Sequence, residues 1–484
     1  MARIGHTSLH LAVADAAYIP LPDGVVHCVV TSPPYWALRK YAGEQERDWP
    51  EVEYHPMPGV PPIRVPAWRG ALGLEPTPEM HVGHIVLIMR DVRRVLRDDG
   101  VIWLNYGDCF AGSGGAGGDY NPGGLREGQP KWGPRPAVRV RQGNLYGIPW
   151  RVAFALQADG WVLRNDLIWY KRNPMPESVA GTRWEREPCK CASEAREEFI
   201  AAQAQKGIDR SRVYGDGIGK PGDIGPDPNC PDCGGTGYAA TGDVVLRHGS
   251  WRHTRAHEYV FQFVKRMAYW ANQEAVREPQ TWRGGAGALN YRVGADGREY
   301  RDDTTQNKEP NPAGRNPRSV LDVPAAPYKG AHYATYPPRL IAPLIRATCP
   351  QRACPECGAG WAPEVEIRVG DPRPNTPDPK FKEATGGRGN SRNPADFFAQ
   401  ALSTTRKVIG YRATCECGRD DYIPGLVLDP FCGSGTTGAV CRELGLRFVG
   451  LDISKPYLRD QARVRLGMGL ADQTSDLPLF AGAI

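Results

Sequence analysis

Thr31-Ser32-Pro33-Pro34-Tyr35-Trp36 closes an apolar run with two adjacent prolines. Proline fixes φ and has no backbone N–H, so this turn is stiff and offers acceptors, the Ser32 hydroxyl beside the Pro33 carbonyl. Two such acceptors suit an NH2 group. An amine on a heteroaromatic ring is a poor nucleophile because its lone pair is delocalised into the ring. Hydrogen bonds accepted from its N–H groups favour a tetrahedral nitrogen that can attack an electrophilic methyl group. Tyr35 adds a face on which a planar ring can stack. Ser32, Pro33, Pro34 and Tyr35 are therefore the catalytic candidates. A lone Ser-Pro-Pro-Tyr would more simply be a packed proline turn, and it gains weight only from a second motif.

That motif is Asp429-Pro430-Phe431-Cys432-Gly433-Ser434-Gly435-Thr436. Gly433, Gly435 and Gly438 form G-x-G-x-x-G between a strand-like run, Leu426–Asp429, and a helical one, Thr436–Leu444. Asp452 ends the next strand-like run. Glycines let backbone approach a nucleotide, and an acid at the tip of the second strand takes the ribose hydroxyls. No Gly-Lys-Ser/Thr follows, which excludes a P-loop. A dinucleotide site fits less well, because Asp429 would repel a pyrophosphate but could meet a cationic amino-acid moiety. Only residues 453–484 follow Asp452, too few for the rest of a parallel sheet. The other strands must come earlier, which predicts a circularly permuted order.

The two motifs, their order and the text between them resemble the β-class DNA amino-methyltransferases over residues 7–40, 84–108, 147–177, 255–279, 314–346 and 425–460. The resemblance implies S-adenosylmethionine as cofactor and double-stranded DNA as partner, with the target base flipped out and stacked on Tyr35. It implies cofactor contacts from Asp15, Thr31, Asp429, Pro430, Phe431, Gly433, Ser434, Gly435, Thr436 and Asp452, with Asp15 near the adenine amine. DLIWYKRNPMPES resembles the strand and loop near the target base, HEYVFQFVK a strand of the same sheet, and HYATYPP the segment near the methionine end of the cofactor. Serine at the first motif position accompanies cytosine N4 methylation in that family, and Asp or Asn accompanies adenine N6. Ser32 therefore favours cytosine N4, with adenine N6 as the alternative. Cytosine C5 chemistry needs a Pro-Cys nucleophile, whereas Cys349-Pro350 has the reverse order. An inactive methylase fold serving as a zinc-containing DNA-binding protein is a remoter alternative, as is an RNA substrate.

The elements that must position these loops follow from periodicity. Ser8–Ala14 and Val25–Val30 read as strands, His84–Leu96 as an amphipathic helix closed by Asp98-Asp99-Gly100, and Val101–Tyr106 as a strand. A helix at Trp150–Ala158, strands at Trp161–Lys171 and Glu258–Lys265, a helix at Leu340–Ala347 and a strand at Phe448–Asp452 complete an α/β, Rossmann-like pattern. The reading divides the chain into a core with the catalytic loop (1–173), a target-recognition region (174–325), a return to the core (326–348), a second insertion (349–424) and the cofactor-binding core (425–484). The recognition region carries Arg183, Trp184, Arg186, Arg247, Trp251, Arg252, His253 and Arg255, residue types that suit phosphates and base edges.

Short cysteine pairs lie in both insertions. Cys189, Cys191, Cys230 and Cys233 form one set of four, and Cys354, Cys357, Cys415 and Cys417 another. Such pairs bring two sulfurs to one ion, and four thiolates close a tetrahedral site, so two structural zinc ions are expected. Pairing within each set is the simpler assumption, and Cys349 lies close enough to the second set to substitute as a ligand.

Sixty Lys and Arg against 54 Asp and Glu give a net charge of +6, which permits a nucleic-acid partner without requiring one. The 57 glycines and 45 prolines gather in a few stretches such as Ala111–Arg139, which implies long loops. MARIGHTSLH lacks a signal-peptide pattern, and no apolar run approaches the roughly 18 residues of a membrane span. A soluble, cytoplasmic enzyme without a membrane partner is expected. Its setting (restriction–modification, solitary or phage) and its oligomeric state, a homodimer among the options, are left open by the sequence.

Overall fold

The computed structural model describes residues 8–37, 45–112, 140–174, 183–186, 189, 230–231, 244–247, 251–278, 291–293, 299–301, 315–325, 336–368 and 405–468. The chain divides into two compact units, one built from Trp270–Arg318 and Arg346–Gly425 with the first six residues, the other from Thr7–Tyr269, Ser319–Ile345 and Leu426–Ile484.

The larger unit is organised on an eight-stranded sheet. In chain order its strands are β1 (Leu9–Val13), β2 (Val26–Thr31), β3 (Leu96–Tyr106), β4 (Val162–Tyr170), β5 (His257–Val264), β6 (Val320–Asp322), β7 (Leu426–Asp429) and β8 (Arg447–Asp452). Their spatial order is β1-β8-β7-β2-β3-β5-β4-β6. Pairings among β1, β8, β7, β2 and β3 are parallel, β5 runs antiparallel to β3 and β4, and β6 is parallel to β4. The central strands are buried on both faces and read as continuous apolar runs, as parallel strands covered by helices must.

Four helices matter for the site: α1 (Pro78–Val95), α2 (Ile148–Ala158), α3 (Pro338–Thr348) and α4 (Thr436–Leu444). The α1 helix starts where Thr77 accepts the Met80 amide and Pro78 takes the first turn, six residues ahead of the sequence expectation. Asp98-Asp99-Gly100 does not close a turn there but lies within β3, opposite a register shift in β2. Residues 46–71 form two antiparallel ribbons, Glu46–Trp49 with Trp68–Ala71 and Val52–Tyr54 with Ile63–Val65, which the sequence reading did not foresee. The antiparallel β5 sits inside the sheet, between β3 and β4, although it falls within the expected recognition region.

The topology leaves a crevice. From β2 the chain passes through α1 to β3 on one side, while from β7 it passes through α4 to β8 on the other. At such a reversal the loops leaving two neighbouring parallel strands diverge and leave room for a ligand beyond their carboxyl ends. The strands flanking this point are β2 and β7, and they carry the two motifs. Among the described residues, no helix is long and apolar enough to cross a membrane. The expected loop at 111–139 lies almost wholly outside the described residues.

Candidate functional site

Thr31, the last residue of β2, is buried, and its Oγ1 donates to Asp429 Oδ1 (2.8 Å) at the end of β7. The two sequence motifs are thus joined side chain to side chain. Beyond Thr31 the prolines carry the chain to Tyr35, whose ring stacks on Tyr106 with centroids 5.2 Å apart and planes at 24°. Gly107 makes room for that ring, since a Cβ there would stand 2.6 Å from Tyr35 Cε2. The loop is then pinned by Trp36, which is buried and donates from its indole to the Glu75 carbonyl (2.9 Å).

Behind the loop lies a buried acid. Glu75 accepts from Gly73 N (2.8 Å), His81 Nδ1 (3.0 Å) and His84 Nδ1 (3.0 Å). Burial alone would raise its pKa, yet the two histidines bring it down to about 2. The other nitrogen of His81 bonds to the Tyr106 hydroxyl, so this network also fixes the ring under Tyr35.

In front of the loop, Ser32 Oγ donates to Tyr35 OH (3.1 Å) and Tyr35 OH donates to Glu258 Oε2 (2.8 Å). Asn105 Nδ2 bonds to Tyr35 OH (2.7 Å), Glu258 Oε2 (3.0 Å) and, more weakly, Ser32 Oγ (3.4 Å). Lys171 caps the other carboxylate oxygen of Glu258. Burial works to raise the Glu258 pKa, but Lys171 and the two hydrogen-bond donors hold it below the ordinary value.

The carboxyl edge of β7 and β8 is equally ordered. Asp429 Oδ1 accepts from Thr31 and Phe431 N (3.1 Å), and Oδ2 accepts from Tyr336 OH (3.0 Å) and Thr437 Oγ1 (2.6 Å). Burial pushes the Asp429 pKa up despite these donors. With four protein donors engaged, Asp429 ties together the Ser-Pro-Pro-Tyr loop, the glycine loop and the segment before α3. Asp452 accepts from Gly433 N (2.9 Å) and Ser454 N (2.8 Å), and burial raises its carboxyl to about 6, with Asp429 adding to the shift. Ser454 Oγ beside it is buried and without a partner among the described residues.

The remaining expected residues take supporting positions. Gly433 and Gly435 have φ of 49° and 76°, and a Cβ on Gly435 would meet Ala462 at 3.1 Å. Ser434 and Thr436 are buried, and their hydroxyls accept from Arg465 at 3.2 and 2.7 Å. Pro430 and Phe431 form the turn out of β7. Asp15 follows β1, accepts from Ala17 N (2.9 Å) and pairs with Arg47, whose guanidinium lies 4.0 Å from the Trp49 ring centroid. Sequence reasoning did not single out Tyr336, Thr437, Asn105, Glu258, Lys171 or Arg47.

In the smaller unit, Cys354, Cys357, Cys415 and Cys417 come together with all four sulfurs within 4.8 Å of one another. Burial opposes ionisation of Cys354, yet the Cys357 and Glu356 amides bring it down to about 7, while hydrogen bonding to Cys357 and burial push Cys417 up to about 12. Four thiols so close cannot all ionise without a cation among them, and the donor set suits a tetrahedral soft-metal site. Cys349 is buried and is not one of the four. Of the first expected set, Cys189 Sγ and Cys230 Sγ lie 3.7 Å apart, while Cys191 and Cys233 fall outside the described residues.

Residues 26–353 and 422–463 match the family described as DNA methylase, of the N6/N4 type. The chain is 27% identical over 440 residues to the Type II methyltransferase M.XycI of Xanthomonas campestris pv. cyanopsidis, covering 90% of this chain and 80% of that protein. It is 25% identical over 446 residues to M.Cfr9I of Citrobacter freundii, with the same coverage. Among solved structures, the PvuII DNA methyltransferase (cytosine-N4-specific) aligns with a TM-score of 0.40 at 12% identity, over 98% of this chain and 91% of that one. The family match spans well over half of the sequence, and the chain belongs to the N6/N4 DNA methylase family.

Proposed function

We propose that the protein is a site-specific DNA methyltransferase that uses S-adenosylmethionine to methylate the exocyclic amine of a flipped base, cytosine N4 in preference to adenine N6. The observation that carries this reading is the Thr31–Asp429 hydrogen bond, which sets the Ser-Pro-Pro-Tyr loop beside the glycine loop at the carboxyl ends of adjacent parallel strands. The curated relatives, named as Type II methyltransferases, support a site-specific modification role, and the position of β7 and β8 between β1 and β2 supports a permuted, β-class strand order.

The residues present fit the cofactor. Asp452 keeps acceptor capacity after its two backbone contacts, and the buried Ser454 hydroxyl, without a partner among the described residues, suits a polar group such as a ribose hydroxyl. Asp15, Gly433, Phe431 and Pro430 would line the same edge, and Asp429 would lend negative charge near the cofactor's cationic end. When bound, S-adenosylmethionine supplies an electrophilic methyl group. Ser32 Oγ and the Pro33 carbonyl accept from the target amine and draw its nitrogen toward tetrahedral geometry. Tyr35, held by Tyr106, stacks on the extruded base and helps offset the few kcal/mol that flipping costs. The Cys354/Cys357/Cys415/Cys417 cluster would hold structural zinc, and Cys189 and Cys230 with Cys191 and Cys233 a second ion.

Incubation with unmethylated DNA of mixed sequence and labelled S-adenosylmethionine, followed by nucleoside mass spectrometry, tests the reading. N4-methylcytosine is the expected product. N6-methyladenine would transfer the target to the alternative, and absence of any methylated nucleoside would overturn the proposal.

A further inference from the structure

Three side chains that no motif supplies converge on the catalytic loop from strands of the same sheet: Asn105 from β3, Lys171 from the end of β4 and Glu258 from β5. Their hydrogen bonds have a direction that follows from donor counting. A carboxylate accepts only, so the Tyr35 hydroxyl must spend its single proton on Glu258 Oε2. The Asn105 amide also donates to that hydroxyl. Ser32, which shares a contact with Tyr35, must then donate its own proton to Tyr35. With its proton given to Tyr35 and one lone pair weakly engaged by Asn105, Ser32 Oγ keeps one lone pair as an acceptor for a substrate N–H. Asn105 Oδ1, buried at the same place, has no partner among the described residues.

Resting on the methyltransferase reading, we infer that Glu258, paired with Lys171, is the terminus that takes up the proton released by the methylated amine, acting through Tyr35 and Ser32. The balance is simple. As the amine nitrogen forms its bond to the methyl carbon, the methyl–sulfur bond breaks, and the nitrogen is left with one proton in excess. That proton passes to Ser32 Oγ, the Ser32 proton passes to Tyr35, and the Tyr35 proton passes to Glu258, which ends as a neutral carboxylic acid. Both oxygens end as neutral hydroxyls, with the direction of their hydrogen bonds reversed. Glu258 touches neither the base nor the cofactor, so it is a positioning residue whose charge also sets the polarity of the chain of hydroxyls.

The groups facing Glu258 bear on its titration. Lys171 lies on one side and Tyr35 with Asn105 on the other. His257 precedes it on the strand, near Arg255 and Asp108, which lie 3.7 Å apart as an ion pair. Lys171 is the only cation bonded to the carboxylate among the described residues, so its removal leaves burial to dominate.

The test uses the full chain, mixed-sequence unmethylated DNA and single-turnover rates between pH 5 and 8, with tritiated S-adenosylmethionine kept saturating at every pH so that cofactor affinity does not enter the rate. Wild type should give a rate nearly independent of pH. K171M should develop an acidic limb inside this window, and E258Q should be slower by about 10²-fold or more without any limb. In the cofactor-free protein, infrared difference spectra should show a carboxylic-acid band for K171M at pH 5 that the K171M/E258Q double variant lacks. The K171M limb and band report even if E258Q does not fold. A K171M profile as flat as wild type, or E258Q turnover near wild type, would overturn the inference while leaving the methyltransferase reading intact. Wild type without any methyl transfer would remove that reading itself.

Discussion

The proposed ribose contact of Asp452 makes a quantitative demand on cofactor binding. Its carboxyl is raised from 3.8 to about 6, chiefly by burial and further by Asp429. Ribose hydroxyls donate to a carboxylate, and the two Asp452 oxygens already accept the Gly433 and Ser454 amides, so protonation removes acceptor capacity the ligand needs. If only the ionised form binds well, apparent affinity scales with the ionised fraction, about 0.9 at pH 7 and about 0.1 at pH 5. S-adenosylhomocysteine, whose own amine and carboxyl stay in one state across this range, should therefore bind about tenfold more weakly at pH 5 than at pH 7, with little change from pH 7 to 8. Titration calorimetry measures this directly. The D452N variant should bind more weakly at every pH and lose the inflection. An affinity flat from pH 5 to 8 in the wild type, or an inflection retained in D452N, would refute the assignment.

The same residue makes a stability argument with a fixed sign. A carboxyl whose folded pKa lies above its unfolded one favours the folded state below about pH 4, and that contribution is lost as the pH rises through about 6. At full burial the shift is worth about 3 kcal/mol, and the partial exposure of Asp452 reduces this to ~2 kcal/mol. In D452N an amide nitrogen faces one of the two backbone N–H donors, which costs about 1–3 kcal/mol. The two effects nearly cancel at pH 7, so D452N should unfold near the wild-type temperature and its loss of affinity reports binding rather than folding.

Two further outcomes follow from packing and from the cysteine cluster. Gly107→Ala places a methyl group 2.6 Å from the Tyr35 ring, so it should tilt that ring and cut turnover at least tenfold while S-adenosylhomocysteine still binds; near-normal turnover would show that the Tyr35–Tyr106 stack does not matter. Metal analysis of the purified chain should find close to two zinc ions, falling by one in Cys357→Ser with loss of thermal stability; a metal-free chain of unchanged stability would dispose of the site.

How much of this was legible in the sequence depends on whether a signal was local. The α4 helix was read to the residue, because glycines bracket it at Gly435 and Gly445. The ends of β2, β7 and β8 were equally plain, since each apolar run stops at a polar residue. The first turns of α1 were missed because His81 and His84 stand on its buried face and interrupt the apolar period; only the Thr77-Pro78 start signal was available. Glu258 was out of reach for a different reason. Its partners Tyr35, Asn105 and Lys171 lie 223, 153 and 87 residues away, and a glutamate in a β-rich run has no spacing that announces a role. Tyr336 and Thr437 likewise acquire meaning only through Asp429, which they reach from 93 and 8 residues away.

The Thr31–Asp429 bond shows why such long separations are built into the site. Its two residues stand 398 apart in sequence, yet they sit on neighbouring strands because β7 and β8 insert between β1 and β2. The Ser-Pro-Pro-Tyr loop is made early in the chain and the glycine loop late, so the two come together only when the sheet has closed around the inserted pair. Contacts of this separation carry a loop-closure cost that must be met before pairing contributes. Once formed, they leave Asp429 with two donors on each oxygen, drawn from three chain segments. A buried carboxylate so engaged tolerates the loss of any one donor poorly, because the charge stays buried with less to stabilise it. The register between the Ser-Pro-Pro-Tyr loop and the glycine loop, on which the proposed methyl transfer depends, is therefore set by one buried acid rather than by either loop alone.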